Sequence, residues 1–361
     1  MLVEQDKPSL EISKGITEEQ FGPILHSFAE RYCNLLGVDF KKEVLPNLGN
    51  KDWWEADYGQ ASRDGKSIGM SAKDALRCLV DTHRTYQIYR GIEETVKVMK
   101  ESGRTGLTGI DAGTGTGILA IIMIGLGVDK VHAIEVNNET FELTSKFLEQ
   151  LSLTDKIKLI QGDATQMDIP ELTKKGADLL VSENLSGGLF DEPQYDIINH
   201  LSNFLSTGAE IIPNQAELFV SLATTDWEGS KPDKNNIAAR RLKSYSLHSS
   251  RVKYAEVNSK VRMNIPIIES EVVVPTNSSN PINALLISTR FRINSKGQPI
   301  YLEPDTADFL GKTSAFKMEG VAIPSNNLII VRLKYEAGRE RKNLKITANG
   351  NRIELIDTML K

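Results

Sequence analysis

The chain is predicted to be an α/β protein in which a Rossmann-like parallel sheet is followed by an antiparallel β-barrel or sandwich. Its 361 residues exceed the length that a single hydrophobic core usually serves, which favours two or more domains. Between residues 107 and 213, strand-like and helix-like apolar patterns alternate, as they do in parallel sheets covered by helices on both faces. After Pro213 the apolar segments become short and alternating, which is typical of antiparallel β structure.

The first predicted domain, residues 1–70, is a helical N-terminal extension. Aromatic and aliphatic residues recur at helical spacing within Phe21–Leu36. Trp53 and Trp54 follow in a stretch rich in Gly and Asp. Two interpretations are open, a helical cap with aromatic side chains packed beneath it or a lid over an active site. The cap is favoured, because this segment has no chemically specific residues.

The second predicted domain, residues 71–213, begins with a helix over 71–100 and continues as the alternating region. Because each strand is followed by a helix, the strands are expected to lie parallel and to end at one common edge. The predicted strands are Leu107–Asp111, Lys130–Glu135, Ile157–Gln161, Ala177–Ser182 and Ala209–Ile212, and the helices between them are Ile118–Leu126, Thr140–Leu151 and Pro193–Leu205.

The third predicted domain, residues 214–361, is the barrel-like β region. Turns with Gly, Pro and Asn separate its strands. The segment Asp226–Lys243 is polar and charged, which indicates a loop or a protruding arm. The predicted strands are Glu217–Ser221, Lys260–Ile265, Glu271–Val274, Ala284–Ile293, Phe316–Ile323, Leu328–Tyr335 and Leu344–Ala348.

Composition excludes several classes of function. A net charge of −5 argues against a broad nucleic-acid surface, which needs clustered Lys and Arg, and suits a basic substrate instead. Cys33 and Cys78 are the only cysteines, so neither a disulfide framework nor a zinc ribbon is predicted. The apolar run Ile118–Val128 is too short to cross a bilayer, and no secretory signal is recognised. A cytoplasmic protein without metal, nucleic-acid or membrane partners is expected.

A glycine-rich loop lies between the first strand and the first helix of the alternating region. Gly113, Gly115 and Gly117 let the backbone approach a ligand closely, and the helix that follows offers unpaired N–H groups. Nicotinamide dinucleotide enzymes use a similar loop, but Ile118 stands where their third glycine would be. Asp111 precedes the loop, and an acid there suits a positively charged ligand better than a pyrophosphate.

Two further carboxylates follow the next two strands. Glu135 ends the second strand, where a carboxylate can accept both hydroxyls of a ribose. Asp163 and Ala164 close the third strand, where they can contact an adenine amino group. Together with Asp111 and the glycines, these residues form the pattern of class I S-adenosylmethionine methyltransferases. S-adenosyl-L-methionine is therefore the predicted cofactor.

Glu183 and Glu192 lie on the loop after the fourth strand and are the predicted catalytic residues. The carboxyl edge of an open α/β sheet is where such proteins bind ligands. Two carboxylates can hold a guanidinium, which is planar, permanently charged and presents its donors as a fork. The hypothesis is that the two glutamates clamp a guanidinium beside the methyl donor. Either Glu192 or a water would accept the proton that is released.

At these residues the sequence resembles the protein arginine methyltransferase family, which has a double-glutamate loop with the same spacing. Asp81-Thr82-His83-Arg84 resembles the Asp-x-x-Arg segment of the family, and Ile211-Ile212-Pro213 resembles its passage into the β-barrel. The resemblance implies that Arg84 pairs with the carboxylate of the cofactor's methionine moiety. It also implies an arginine acceptor and a dimer formed through an arm inserted in the barrel, for which Asp226–Lys243 is the candidate.

The chain departs from the family pattern in two places. The bulky residues that follow the first glutamate in the family are replaced by the smaller Asn184-Leu185-Ser186-Gly187-Gly188. The Thr-His-Trp segment of the family has Thr313-Ser314-Ala315 as its best counterpart, without the histidine. These departures favour a small guanidino acceptor such as free arginine beside protein arginine. The alternatives are a methyltransferase for another nitrogen or oxygen acceptor, a non-catalytic scaffold and, last, a nicotinamide-linked oxidoreductase.

Overall fold

The N-terminal part of the molecule is a long helix laid across the helices that precede the parallel sheet. The computed structural model describes residues 12–48, 61–63, 66–190, 192–225, 245–259, 263–276, 282–303, 313–318, 325–339, 344–349 and 351–352. In chain order the elements here are α1 Glu18–Leu36, the helical turns Phe40–Val44 and Leu45–Asn47, the hairpin β1 Ala61–Arg63 and β2 Lys66–Ile68, α2 Ala72–Val80 and α3 Thr82–Glu101.

Helix α1 confirms the predicted helical extension. Thr17 caps its first turn, where Thr17 and Gln20 form a capping box, and Gly37 ends the helix in the left-handed conformation, φ 76°. Phe28 and Tyr32 pack edge-on against the ring of Phe147. The helix therefore belongs to the core of the sheet domain. Trp53 and Trp54 lie outside the described residues.

The predicted single helix over 71–100 is wrong, because the chain breaks it into α2 and α3. Asp81 has φ −73° and ψ 82°, which is not helical, and its carboxylate accepts the backbone N–H of Arg84 as the N-cap of α3. Asp commonly starts helices in this way, because its side chain competes for backbone donors. The break places Arg84 in the first turn of a new helix, where it reaches the sheet edge.

The five parallel strands confirm the predicted Rossmann-like sheet. Their spatial order is β5-β4-β3-β6-β7, and every neighbouring pair is parallel. The all-apolar helix α4 is buried along its length except at its last glycine. The elements are β3 Thr108–Ala112, α4 Ile118–Gly125, β4 Lys130–Glu135, α5 Asn138–Gln150, β5 Ile157–Gln161, β6 Ala177–Ser182, α6 Gln194–Leu201 and β7 Leu205–Ile212.

The remainder folds as two antiparallel sheets. One has the order β10-β8-β12-β13, with β14 beside β12 and β9 beside β8, and the other has the order β11-β15-β16-β17. The strands are β8 Gln215–Thr225, β9 Tyr245–Leu247, β10 Val252–Asn258, β11 Ile267–Pro275, β12 Ala284–Arg292, β13 Tyr301–Leu302, β14 Thr313–Lys317, β15 Leu328–Glu336, β16 Lys345–Ala348 and β17 Asn351–Arg352.

One predicted β strand is wrong. The prediction places a strand at Lys260–Ile265. Residues 260–262 lie outside the described residues, and residues 263–266 are irregular. The strand in this part of the chain is β10, whose alternation is broken by a bulge between Lys253 and Ala255. A bulge shifts the side-chain period by one residue and hides the strand from a periodicity argument. The predicted arm, 226–243, also lies outside the described residues.

The β region is fastened to the parallel sheet beside the loop that follows β6. Phe190 of that loop packs against Tyr335 and Phe316, with ring centroids 4.9 and 5.9 Å apart. Arg339, just after β15, forms a two-pronged ion pair with Asp196 of α6, at 2.7 and 3.1 Å.

Among the described helices, none is long and apolar enough to cross a membrane. The limits of the predicted domains, 1–70, 71–213 and 214–361, stay a prediction.

Candidate active site

The glycine loop after β3 forms a tight turn at the carboxyl edge of the sheet. Gly113, Gly115 and Gly117 all have positive φ, at 73°, 54° and 81°. A side chain at Gly113 would be strained, and its Cβ would lie 3.0 Å from the amide of Asn184. The sequence therefore needs glycine here both for the turn and for the close approach of the neighbouring loop.

Asp111 supports this turn from beneath. Its Oδ2 accepts the hydroxyl of Thr114 at 2.6 Å and the N–H of Ala120 at 3.1 Å. Within the part of the chain that the structure describes, its Oδ1 accepts no hydrogen bond. Burial raises the pKa of Asp111 to about 7, although these two hydrogen bonds act in the opposite direction. Asp111 thus holds the glycine loop in place, and its predicted contact with the cofactor stays a prediction.

Asp111→Asn is expected to flatten the dependence of stability on pH. The pKa of Asp111 is about 7 when folded, so the folded protein binds this proton more tightly than the unfolded chain does. Stability therefore falls as pH rises from about 4 to about 7, by at most about 4 kcal/mol. Urea unfolding at several pH values would measure the slope, with Asp129→Asn, an exposed acid before β4, as the control. An unchanged slope in Asp111→Asn would contradict this origin.

Glu135 lies at the end of β4, directly beside the glycine loop. Its Oε2 accepts the N–H of Gly115 at 2.9 Å, and its Oε1 accepts the N–H of Asn137 at 2.8 Å. The residue is only 4% exposed, and burial raises the pKa of Glu135. Each carboxylate oxygen can accept a further hydrogen bond. This carboxylate is therefore positioned against the loop with acceptor capacity to spare.

Asp163 and Ala164 follow β5 at the same edge. The Oδ1 of Asp163 accepts both the N–H and the hydroxyl of Thr165, at 2.8 and 2.6 Å. Ala164 is buried. The strand order places these residues beyond Glu135, on the far side of the sheet from the loop after β6.

A buried ion pair joins the start of α3 to the loop after β6. Arg84 donates through Nε to Glu183 Oε1 at 2.8 Å, and its Nη2 pairs with Glu183 Oε2. Its Nη1 donates to the carbonyl of Cys78 at 3.2 Å. The two side chains are 5% and 8% exposed. Burial alone would lower the pKa of Arg84, but the Glu183 carboxylate raises it above its ordinary value.

Glu192 ends the same loop and is half-buried. Its backbone N–H lies 3.5 Å from the hydroxyl of Ser186, so it is tied to the loop that begins at Glu183. Gln194 then begins helix α6. The structure thus places the two glutamates at the two ends of one loop, although Asp191 between them lies outside the described residues.

A chain of polar side chains, not predicted from the sequence, connects the loop to the glycine turn. Asn184 donates from Nδ2 to the carbonyl of Ala112 at 2.9 Å and to the hydroxyl of Ser182 at 3.0 Å. Ser182 in turn donates to Gln194 at 2.9 Å. The only signal for them in the sequence is that small polar residues flank the two glutamates.

All the predicted site residues lie at the carboxyl edge of one sheet or beside it. Ser314, in the counterpart of the Thr-His-Trp segment, is buried on β14 opposite Ile287. Among the described residues, no group of three or more His, Cys, Asp or Glu side chains could hold a metal ion. The arrangement can therefore bind cations through carboxylates, next to a loop suited to a nucleotide-like ligand.

Comparison with known proteins agrees with this arrangement. Residues 83–213 match the family described as ribosomal protein L11 methyltransferase. The protein arginine N-methyltransferase 7 of Danio rerio is 28% identical over 206 residues, 55% of this chain and 29% of that protein. Its counterpart in Drosophila willistoni is 33% identical over 198 residues, 53% of this chain and 28% of that protein. The chain spans less than a third of the length of these relatives.

Solved arginine methyltransferases share the architecture. The Trypanosoma brucei PRMT1 enzyme–prozyme heterotetrameric complex with AdoHcy aligns with a TM-score of 0.61 and 14% identity, over 76% of this chain and 96% of that chain. PRMT6 with SAH aligns with a TM-score of 0.57 and 16% identity, over 75% and 97%. Over about half of its length the chain is similar in sequence to protein arginine N-methyltransferases, and it has the fold of these solved structures, a Rossmann-like parallel sheet followed by an antiparallel β region.

Proposed function

We propose that this protein is an S-adenosylmethionine-dependent N-methyltransferase that methylates a guanidino nitrogen of arginine. One observation carries the proposal: Glu183 already holds a guanidinium, that of Arg84, by a two-pronged ion pair beside the glycine loop. Planar forks of this kind suit the carboxylate–guanidinium pair. The same edge of the sheet thus offers the chemistry that an arginine acceptor needs.

The residues around the glycine loop fit the proposed cofactor. The positive-φ glycines let the backbone approach the ligand, and Glu135 keeps acceptor capacity for two ribose hydroxyls. Asp163 and Ala164 are the proposed adenine contacts, and Arg84 is the proposed partner of the methionine carboxylate. When bound, S-adenosylmethionine supplies a methyl group on a sulfonium sulfur, and the protein supplies binding and orientation.

Charge balance supports the proposed roles of the glutamates. Arg84 neutralises one carboxylate, so Arg84, Glu183 and Glu192 together have one net negative charge with which to hold one acceptor guanidinium. In the transfer, the bond from carbon to sulfur breaks, a bond from carbon to nitrogen forms, and that nitrogen loses a proton. Glu192 or a water accepts it. Preorganised carboxylates stabilise the charge that shifts onto the guanidino group.

The acceptor is proposed to be arginine in a protein or a small guanidino compound. The curated relatives are named protein arginine N-methyltransferases, which supports the first. The small residues Gly187 and Gly188, and Ser314 in place of a histidine, support the second. We also propose a cytoplasmic location and a homodimer; the solved Trypanosoma brucei relative is a heterotetrameric complex.

Mass spectrometry of reaction products tests the proposal directly. The protein is incubated with S-adenosylmethionine and, separately, with free arginine, an arginine-rich peptide and a non-guanidino amine. A mass increase on either guanidino acceptor is expected. Methylation of the amine alone would favour the alternative of another nitrogen acceptor. A protein that does not bind the cofactor in calorimetry would instead be the non-catalytic scaffold.

Glu135→Ala is expected to weaken S-adenosylmethionine binding by roughly tenfold or more, because hydrogen bonds to charged groups contribute about 1.5–3 kcal/mol. Isothermal titration calorimetry measures the affinity, and circular dichroism checks that the variant folds. Glu139→Ala, an exposed acid in the first turn of α5, is the control. Equal affinities of wild type and Glu135→Ala would count against the ribose assignment.

A further inference from the structure

The loop between the two glutamates is held at its middle by the β region. The N–H of Gly188 donates to the hydroxyl of Thr289 at 2.7 Å, across 101 positions of sequence. The carbonyl of the next residue, Leu189, accepts the N–H of Gly338 at 2.8 Å. Both anchors come from the β region, Thr289 on β12 and Gly338 in the turn after β15. Among the described residues, none of the proposed catalytic or cofactor-binding residues lies in that region.

The conformation at this anchor is unusual for a loop. Gly188 has φ 71°, and a Cβ there would come within 2.2 Å of the ring of Phe190. Leu189 also has positive φ, 61°, which a non-glycine residue adopts only under constraint. Phe190 is buried against Tyr335. The turn therefore has one well-defined shape, and its contacts with the β region determine that shape.

Thr289 is suited to act as a fixed anchor. It lies on β12, paired with Leu218 of β8 in the middle of the six-stranded sheet, and it is fully buried. Its hydroxyl has almost no freedom to move, because β-branched side chains are stiff and the site is packed. The hydrogen bond to Gly188 thus fixes the middle of the loop, between the two glutamates, to a rigid strand.

We propose that Thr289 is a positioning residue that sets the placement of Glu183 and Glu192 for the acceptor. This inference rests on the proposed function. It extends that function to the β region, which then takes part in catalysis without touching substrate or cofactor. Small displacements of catalytic groups cost large factors in rate, so loss of one anchor is expected to be visible in the kinetics.

Thr289→Val is the decisive variant, because it keeps the side-chain shape and removes the acceptor for the buried N–H of Gly188. We expect kcat/KM for the guanidino acceptor to fall about tenfold, with cofactor affinity unchanged, corresponding to about 1.4 kcal/mol. Thr289→Ser retains the hydroxyl and is expected to restore most of the activity. Thr224→Val is the matched control, since Thr224 lies on β8 of the same sheet and its hydroxyl bonds to His248.

Amide hydrogen exchange gives a second measurement that needs no activity. In Thr289→Val the exchange of the peptide spanning residues 183–192 is expected to accelerate, while the peptides of β3 and β4 exchange as in the wild type. Wild-type exchange of that peptide, or kinetics like those of Thr224→Val, would overturn the inference. If the wild type methylates no guanidino acceptor, the proposed function fails, and the exchange result still decides whether Thr289 holds the loop.

Discussion

Glu183→Gln and Glu192→Gln are each expected to lower kcat for the guanidino acceptor by about 100-fold or more. Removing one group that stabilises shifting charge in an enzyme typically costs a factor of about 10²–10³. A glutamine keeps the size and one acceptor oxygen but loses the charge that holds the guanidinium. Initial rates at saturating cofactor measure kcat, and Glu171→Gln, an acid paired with Lys158 on the surface, is the control.

The two variants are expected to differ in stability, and this separates a direct role from misfolding. Gln is nearly isosteric with Glu and keeps hydrogen-bonding capacity at the half-buried position 192, so Glu192→Gln is expected to change the unfolding transition little. Glu183 is 8% exposed and pairs with Arg84, so its replacement removes a partner from a buried charge. Activity loss in a fully stable Glu192→Gln therefore reports on catalysis. Wild-type kcat in both variants would rule out the guanidinium clamp.

The parallel sheet could be predicted from the sequence because short apolar strand patterns alternate with helical patterns along residues 107–213. The bounds Lys130–Glu135, Ile157–Gln161 and Ala177–Ser182 agree with the structure residue for residue. The central strands β3, β4 and β6 are buried on both faces, so no register is needed to recognise them. The chemistry-bearing residues follow strand ends, and strand ends of a parallel sheet meet at one edge, so their assembly could be predicted as well.

The features that the sequence did not predict depend on contacts between residues distant in sequence, or on a side chain that competes with the helix for a backbone N–H. The bulged strand Val252–Asn258 has no clean alternation, and only its pairing with β8 reveals it. The break at Asp81 arises because one carboxylate takes a backbone N–H that a continuous helix would use. Thr289 has no motif at all, since its role depends on Gly188, 101 positions away.

The pairing of Arg84 with Glu183 was the least predictable feature of the site. The resemblance to arginine methyltransferases implies a role for Arg84 toward the cofactor, which stays a proposal. In the structure, Nε and Nη2 of Arg84 pair with Glu183. No local sequence pattern predicts the hydrogen bond between Arg84 and Glu183, because the two residues are 99 positions apart. The structure thus adds an internal guanidinium to a site whose proposed acceptor is also a guanidinium.

This buried pair leads to the largest expected change in stability. Arg84→Met and Glu183→Gln alone are each expected to lower the free energy of unfolding by about 3–5 kcal/mol, because each leaves an uncompensated charge in a dry site. The double variant removes both charges and is expected to be clearly more stable than the sum of the single losses predicts. Urea unfolding of the four proteins gives the coupling energy, and strictly additive losses would contradict a paired buried charge.

A surface pair provides the scale for that measurement. Lys158 and Glu171 are each 49% exposed, so the same cycle with Lys158→Met and Glu171→Gln is expected to give a coupling of about 1 kcal/mol or less. If Arg84 and Glu183 couple no more strongly than this, then Glu183 is effectively solvated and is open to an acceptor without competition. A strong coupling instead means that an arriving acceptor must share Glu183 with Arg84. In that case the second carboxylate, Glu192, supplies the charge that makes binding of a second guanidinium favourable.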